Sequence, residues 1–159
     1  MSLSAPVQLV TRGRSITPFP VADGVTIYHG AIVRLDMSGA DKGRIKNWAD
    51  AVSPPIHCLA GVAMVTDEEA NPGQATGNAA GDVFVNVQTD GFVLPKVAVV
   101  GYSGISHNSD AIYATDENTF TTSATTGGSV LARGVGFHSS QVADIELYSM
   151  LASTQKQGL

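Results

Sequence analysis

Alternation of apolar and polar residues in the middle of the chain predicts β-strands. The run 59–66 is short, apolar and rich in small and β-branched residues. In the run 81–87, Val83, Val85 and Val87 fall on one face at the two-residue period of a strand. Asp90-Gly91 then precedes a third run, 92–95, so the pattern predicts a β-hairpin between the second run and the third.

A second pair of runs near the C-terminus resembles the first pair. The run 130–137 again holds a Gly-Val pair within an apolar strand, and the run 142–148 again alternates and contains an Asp near its start. We therefore expect a mainly β fold: a compact, β-barrel or β-tulip-like single domain built from two weakly similar β units, with an extended N-terminal arm.

The rest of the chain divides around these units. Strands are predicted at 25–28 and 31–36, a polar hairpin tip at 38–44, and a further hairpin across 110–123. Residues 1–22 carry three prolines and few apolar anchors, which indicates an extended arm; it is either a frayed terminus or a strap that adds an edge strand to a neighbouring subunit. The expected domain spans 23–151, and 152–159 form a polar tail.

Composition limits the classes of function. A chain of 159 residues supports one domain with a real core. Charged residues make up only 14%, with 17 glycines, so we expect partners to cover much of the surface.

The net charge of −5 without a basic cluster argues against a nucleic-acid partner. No apolar run approaches the roughly 20 residues of a membrane span, and no signal-like segment leads the chain, so we expect no membrane partner and synthesis in a host cytoplasm.

Residues with chemical potential are few and scattered. His29, His57, His107 and His138 lack metal-ligand spacing, and the single cysteine, Cys58, adjoins His57 on a strand whose successive side chains point to opposite faces. The glycine-rich loop 73–81 lacks the Lys-Ser/Thr ending of a phosphate loop. Asp82 and Asp144 hold equivalent positions in the two units, but a catalytic dyad would need them about 3 Å apart. We therefore expect no catalytic residue, no metal and no cofactor.

Short motifs occur in a characteristic order along residues 24–149. They are glycine-valine and apolar signatures such as Gly134-Val-Gly-Phe137, and they stand at 30–35, 59–63, 81–87, 91–96, 111–115, 134–137 and 144–147. Their order and spacing resemble those of the tailed-bacteriophage capsid cement, or head decoration, proteins. The resemblance implies a non-catalytic structural protein on the exterior of the virion. Its partners would be the major capsid protein and itself as a homotrimer, and it would stabilise the expanded shell against internal DNA pressure.

The resemblance leads to two sets of expected contact residues. In the arm, apolar anchors and basic residues would bind the major capsid protein: Ile16, Phe19, Arg12 and Arg14. Large apolar groups next to turns would lie at a subunit boundary or, alternatively, close the end of the barrel: Trp48, Phe92, Leu94 and Pro95.

Two other classes of function stay open at the level of sequence. A β-sandwich binding module of a tail fibre or adhesin would share the low charge and the glycine-rich turns, but would normally display clustered aromatic residues for sugars, and only 6% of residues here are aromatic. A small β-barrel hydrolase would need a nucleophile and a base that the fold brings together. Spacing along the chain does not exclude that arrangement.

Overall fold

The structure is a computed structural model that describes residues 16–48, 57–65, 73–90, 93–114, 116, 118–124 and 130–148. Within these ranges it contains β-strands and one 3₁₀ turn, Ile105–His107. The strands are β1 (Ile16–Pro20), β2 (Thr26–Tyr28), β3 (Ile32–Asp36), β4 (Ile45–Asn47), β5 (His57–Met64), β6 (Gln74–Thr76), β7 (Phe84–Gln88), β8 (Val93–Val100), β9 (Ala111–Ala114), β10 (Phe120–Thr121), β11 (Val130–Ser139) and β12 (Val142–Leu147).

The first half of the fold is a five-stranded antiparallel sheet in the order β1-β7-β5-β3-β4, beside a two-stranded sheet of β2 and β6. The polar turn at 38–44 joins β3 to β4, which confirms that predicted hairpin. Val21 donates its backbone N–H to the Val83 carbonyl at 2.9 Å and forms a parallel bridge to Ile45. The chain following β1 thus links β7 to β4, and the sheet rolls around its own core.

The second half is a closed barrel in the order β10-β8-β12-β11-β9. The antiparallel pair of β9 and β10, with Phe120 opposite Ala114, confirms the hairpin predicted across 110–123. The mainly β, barrel-containing fold is therefore as predicted. Of the two similar units, β5 with β7 belongs to the sheet and β11 with β12 belongs to the barrel.

Residues 59–63 of β5 are buried on both faces of the strand, which accounts for their continuous apolar sequence, and β3 likewise buries Ile32 and Val33 on opposite faces. Ile32, Leu59 and Val62 pack into the core of the barrel. Their chain neighbours point the opposite way and fill the separate core of the sheet: Val33, Ala60 and Ala63. The sheet and the barrel are thus joined through one face of the sheet.

The hairpin predicted across Asp90-Gly91 is wrong. Strand β7 pairs with β1 on one edge and with β5 on the other, whereas β8 pairs with β12 and β10 in the barrel. Because both edges of β7 are taken, no edge is left for β8. The Asp-Gly signal describes local turn chemistry and does not choose the partner of the strand that follows.

The predicted boundary of the N-terminal arm is also wrong at its C-terminal end. Residues 16–20 form β1, which pairs with β7 of the same chain, and Val21 and Ala22 are completely buried. The apolar side chains of this segment belong to the sheet, and its prolines are tolerated because β1 is an edge strand. Residues 1–15 lie outside the described residues, as does the predicted tail.

Candidate functional site

The outer edge of β1 is blocked against the addition of another strand. The Val21 N–H points to β7, so alternation turns Thr17 and Phe19 towards β7 and turns Pro18 and Pro20 away from it. Of the three outward positions of β1, only Ile16 has an N–H to donate to an incoming strand, because the other two are prolines. A partner that meets this sheet contacts its side chains instead.

The structure has a groove of about 490 Å³, lined by residues 82–86, by β6 and by Met64 and Val65. We call it the β6–β7 groove. Asp82, Phe84 and Asn86 alternate outward along one wall, and the Phe84 ring is 58% exposed. The ring lies in a concave site and has amide and carboxylate neighbours. An aromatic side chain so exposed to solvent is a candidate contact for a partner.

The expected capsid-binding residues have different positions. Ile16 is 47% exposed at the start of β1, the strand that pairs with the β7 wall of the groove. Phe19 is partly buried against the core of the sheet, so part of its side chain anchors its own domain, and its contact with the capsid stays a prediction. Arg12 and Arg14 lie outside the described residues.

Trp48 is buried in the core of the barrel. Its side chain is 3% exposed and belongs to the barrel core. The indole Nε1–H donates to the Ala114 carbonyl at 3.0 Å, which ties the chain after β4 to strand β9. So little of this side chain reaches the surface that the assignment of Trp48 to a subunit boundary is corrected. A large aromatic ring with one polar N–H is most stable in a site that buries the ring and also supplies an acceptor for the N–H.

Strand β8 presents a largely apolar outer surface. Val93 and Val100 are exposed large hydrophobic residues, Pro95 and Ala98 are exposed as well, and Lys96 is the only charged residue of the strand. Leu94 is half-buried against the barrel core. Of the residues expected at a subunit boundary, Pro95 is thus on the surface and Leu94 partly so, while Phe92 lies outside the described residues.

Asp144 holds the irregular part of the barrel together. Its Oδ1 accepts the Lys96 backbone N–H at 2.8 Å and lies 2.8 Å from His138 Nε2. Lys96 has a positive φ of 53°, and the β8–β12 and β11–β12 registers both shift beside Asp144. The Lys96 amide, followed by His138, lowers the pKa of Asp144 below its usual value. Asp82, its counterpart, instead accepts from Asn78 Nδ2 at 2.6 Å in the other half of the fold, and the two carboxylates form no dyad.

A serine, a histidine and an aspartate meet in the turn after β8. The Ser103 Oγ lies 3.1 Å from His107 Nε2, and His107 Nδ1 lies 2.8 Å from Asp110 Oδ2. Of the three residues, only His107 was considered from the sequence, as one of four histidines without metal-ligand spacing. In the sequence, the serine, the histidine and the aspartate stand within eight positions of one another. This spacing predicts that they lie close together, but it does not predict the orientation of the histidine ring.

The turn that carries this cluster is fastened to the barrel. The buried Tyr102 donates from its hydroxyl to Asn108 Oδ1 at 2.7 Å, and its ring centroid is 5.5 Å from that of His107. The Ser109 N–H donates to the Gly134 carbonyl at 2.7 Å, and Gly134 N–H donates to the Asp110 carbonyl at 3.0 Å. The histidine and aspartate are therefore positioned by the body of the fold.

Other features of the described residues narrow the chemistry. They include no group of three or more His, Cys, Asp or Glu side chains arranged to hold a metal ion. No helix in the described part of the chain is long and apolar enough to cross a membrane. His57 and Cys58 lie in β5, but their side chains are not among those described. Comparisons with protein-family models, curated proteins and solved structures found no match to this chain.

Proposed function

We propose that this protein is a structural virion protein that binds the outer surface of an expanded phage capsid, as a homotrimer, and stabilises the shell. The observation that carries the proposal is the exposed apolar surface of an otherwise well-buried β body, above all Phe84 in the β6–β7 groove and the outer face of β8. Exposed apolar surface of this kind marks interaction sites in soluble proteins.

The β6–β7 groove is the proposed contact with the major capsid protein. Ile16 and Phe84 stand on paired strands, with Ile16 opposite Gln88 and Phe84 opposite Pro20, so an exposed apolar side chain lies at each end of this strand pair. Arg12 and Arg14, the proposed partners of capsid carboxylates, are respectively four and two residues away from Ile16 along the chain. A single capsid surface that contacts both Ile16 and the groove would span the β1–β7 pair.

The outer face of β8 is the proposed contact between subunits of the trimer. Val93, Pro95, Ala98 and Val100 give it exposed apolar area with one charge, a composition suited to the centre of an interface. Strand β8 is paired with β12 and with β10 in the closed barrel, so a neighbouring subunit meets the side chains of this face. Association through side chains gives a defined trimer, whereas edge pairing would favour open-ended aggregation.

Stabilisation of the shell follows from linkage. A protein that binds only the expanded shell stabilises it by about 2.7 kcal/mol per site when its free concentration is 100 times the dissociation constant. Three contacts carried on one rigid trimer act at high effective concentration, so each contact can be weak. Modest grooves such as the one beside Phe84 are sufficient on this basis.

The test is co-sedimentation with expanded, emptied heads of the phage that carries this gene. Phe84→Ser should reduce binding at least tenfold, because it removes the exposed ring from the groove. Tyr28→Ser is the matched control, since Tyr28 is 54% exposed on β2 and does not line the groove. Equal binding by wild type and Phe84→Ser would remove the groove from the account, and failure of the wild type to bind heads would overturn the proposed function.

A further inference from the structure

We propose that Ser103 is an activated nucleophile, with His107 as its general base and Asp110 as the group that positions the base. The three side chains form an unbroken hydrogen-bonded relay, with contacts of 3.1 Å from Ser103 to His107 and 2.8 Å from His107 to Asp110. The substrate class is small carboxylic esters with an apolar acyl group. This inference is independent of capsid binding.

The aspartate fixes which nitrogen of His107 carries the proton. An ionised carboxylate only accepts hydrogen bonds, so the Nδ1 that faces Asp110 Oδ2 must be the protonated nitrogen. In the neutral ring, Nε2 is then an acceptor, and the Ser103 hydroxyl donates to it. This is the tautomer that lets a histidine take the proton of a serine, and it is the arrangement by which nucleophile, base and orienting group are recognised.

The geometry is held from outside the relay. Tyr102 is completely buried and its ring lies beside the His107 ring at an interplanar angle of 44°. The backbone of Asp110 is bonded to β11 through Gly134. The base and its orienting carboxylate are thus supported by the barrel, which is what a preorganised catalytic group needs.

A substrate has room at the serine. A Cβ placed on Gly104 would meet only the Ser106 Oγ, at 3.8 Å, so the side of the chain next to the nucleophile is open. Within the described residues the Gly104 N–H donates to no acceptor, which leaves it available to the oxygen of a bound carbonyl. Ile105 is 73% exposed next to it and offers apolar contact to an acyl chain. These features favour a small apolar acyl group over a charged or bulky one.

The reaction balances with water as the sole co-reactant. The Ser103 hydroxyl proton moves to His107 Nε2 as the Oγ–carbon bond forms. When the carbon–oxygen bond to the alcohol breaks, His107 returns that proton to the leaving oxygen, giving acyl-Ser103 and free alcohol. Water then attacks the acyl carbon, His107 takes its proton, and the Oγ–carbon bond breaks to release the carboxylic acid and restore the serine hydroxyl.

The experiment treats the full chain with a fluorophosphonate probe and locates the adduct by mass spectrometry of peptides. Phosphonylation forms the Oγ–phosphorus bond and expels fluoride, so it reports an activated serine directly. We expect the adduct on Ser103, with none in Ser103→Ala and at least a tenfold slower reaction in His107→Gln. Ser106→Ala, an exposed serine of the same turn outside the relay, should react like wild type.

Asp110→Asn distinguishes two roles for the aspartate: activation of Ser103 through His107, and stabilisation of the turn alone. Asparagine preserves a hydrogen bond to His107 but can donate to Nδ1, which moves the ring proton to Nε2 and removes the acceptor for Ser103. We expect an unchanged melting temperature with at least a tenfold loss in labelling rate and in hydrolysis of p-nitrophenyl acetate. A wild-type protein that takes no probe on Ser103, or labelling that Asp110→Asn leaves undiminished, would overturn the proposal.

Discussion

The sheet and the barrel contain the same Gly-Val pair in their longest central strands, and they use its glycine differently. In the sheet, Gly61 has a φ of 146°, and a Cβ there would overlap the backbone carbonyl of Gln88 on β7. In the barrel, a Cβ on Gly134 would overlap the ring of Tyr102, a side chain. One glycine permits two strands to approach, and the other accommodates a buried ring.

This difference shows how a weak repeat can be reused. Both units keep an antiparallel strand pair, since alternating valine and isoleucine residues specify strands wherever they occur. The barrel closes on itself, whereas the sheet depends on the barrel to cover one face, through Ile32, Leu59 and Val62. The sheet therefore has less independent means of burying its apolar residues, and it also carries the proposed capsid groove.

The largest predicted effect is at the glycine of the sheet. Gly61→Ala should lower the free energy of unfolding by about 3–5 kcal/mol, because it combines backbone strain with overlap against a main-chain atom. Urea unfolding followed by circular dichroism measures it. Gly39→Ala is the control, because Gly39 also has a positive φ, 74°, but has open space around it, and strain alone should cost about 1–2 kcal/mol.

If Gly61→Ala and Gly39→Ala lowered the free energy of unfolding equally, the close approach of β5 to β7 would not contribute to the cost of Gly61→Ala. The loss of stability in Gly134→Ala should be intermediate, because the ring of Tyr102 can shift more readily than a strand backbone can. The order of the three variants thus tests the comparison of the two units directly.

A smaller loss of stability is predicted for a substitution at Trp48, where the sheet and the barrel join. Trp48→Phe should cost about 2 kcal/mol, because it removes the hydrogen bond to Ala114 and leaves a small cavity in the barrel core. Tyr113→Phe, which removes only a hydroxyl from a half-buried ring of β9, should change stability by less than about 0.5 kcal/mol. If the two variants unfolded alike, Trp48 would not be the link between the sheet and the barrel.

Local patterns in the sequence were sufficient for the strands but not for their partners. Val83, Val85 and Val87 predicted β7, and the turn at 38–44 predicted the β3–β4 hairpin, because both signals are local. The pairing of β1 with β7 joins residues about 70 positions apart, so the register that decides it is not visible in either segment. The groove beside Phe84 was missed for the same reason, since its walls come from three separate stretches of chain.

The contact residues show a second limit of sequence reasoning. Phe19 was expected to contact the capsid as an apolar anchor of the arm, and Trp48 was expected at a subunit boundary or at the end of the barrel as a large apolar group next to a turn. Both contribute to the protein's own cores. Ile16 has a similar apolar side chain and is nearly half exposed. Burial depends on which neighbours the fold provides, and residue type alone does not distinguish the two outcomes.

The smallest predicted effect concerns the bulge of the barrel and depends on pH. The pKa of Asp144 is lower in the folded protein than its ordinary value of about 4. Its carboxylate therefore stabilises the fold above that value, and this stabilisation is lost as the pH falls through the folded pKa. At neutral pH, Asp144→Asn should melt below wild type, and the gap should narrow in acid. Asp82→Asn controls for the loss of one negative charge. A gap that stays constant from neutral to acidic pH would contradict this role.

The central claim is that this β body acts through its neighbours, beginning with two other copies of itself. Light scattering on the purified chain, coupled to size-exclusion chromatography at micromolar concentration, tests it most directly. The account predicts a single species with three times the 16.4 kDa mass of one chain. A species with the mass of one chain at every concentration would contradict it.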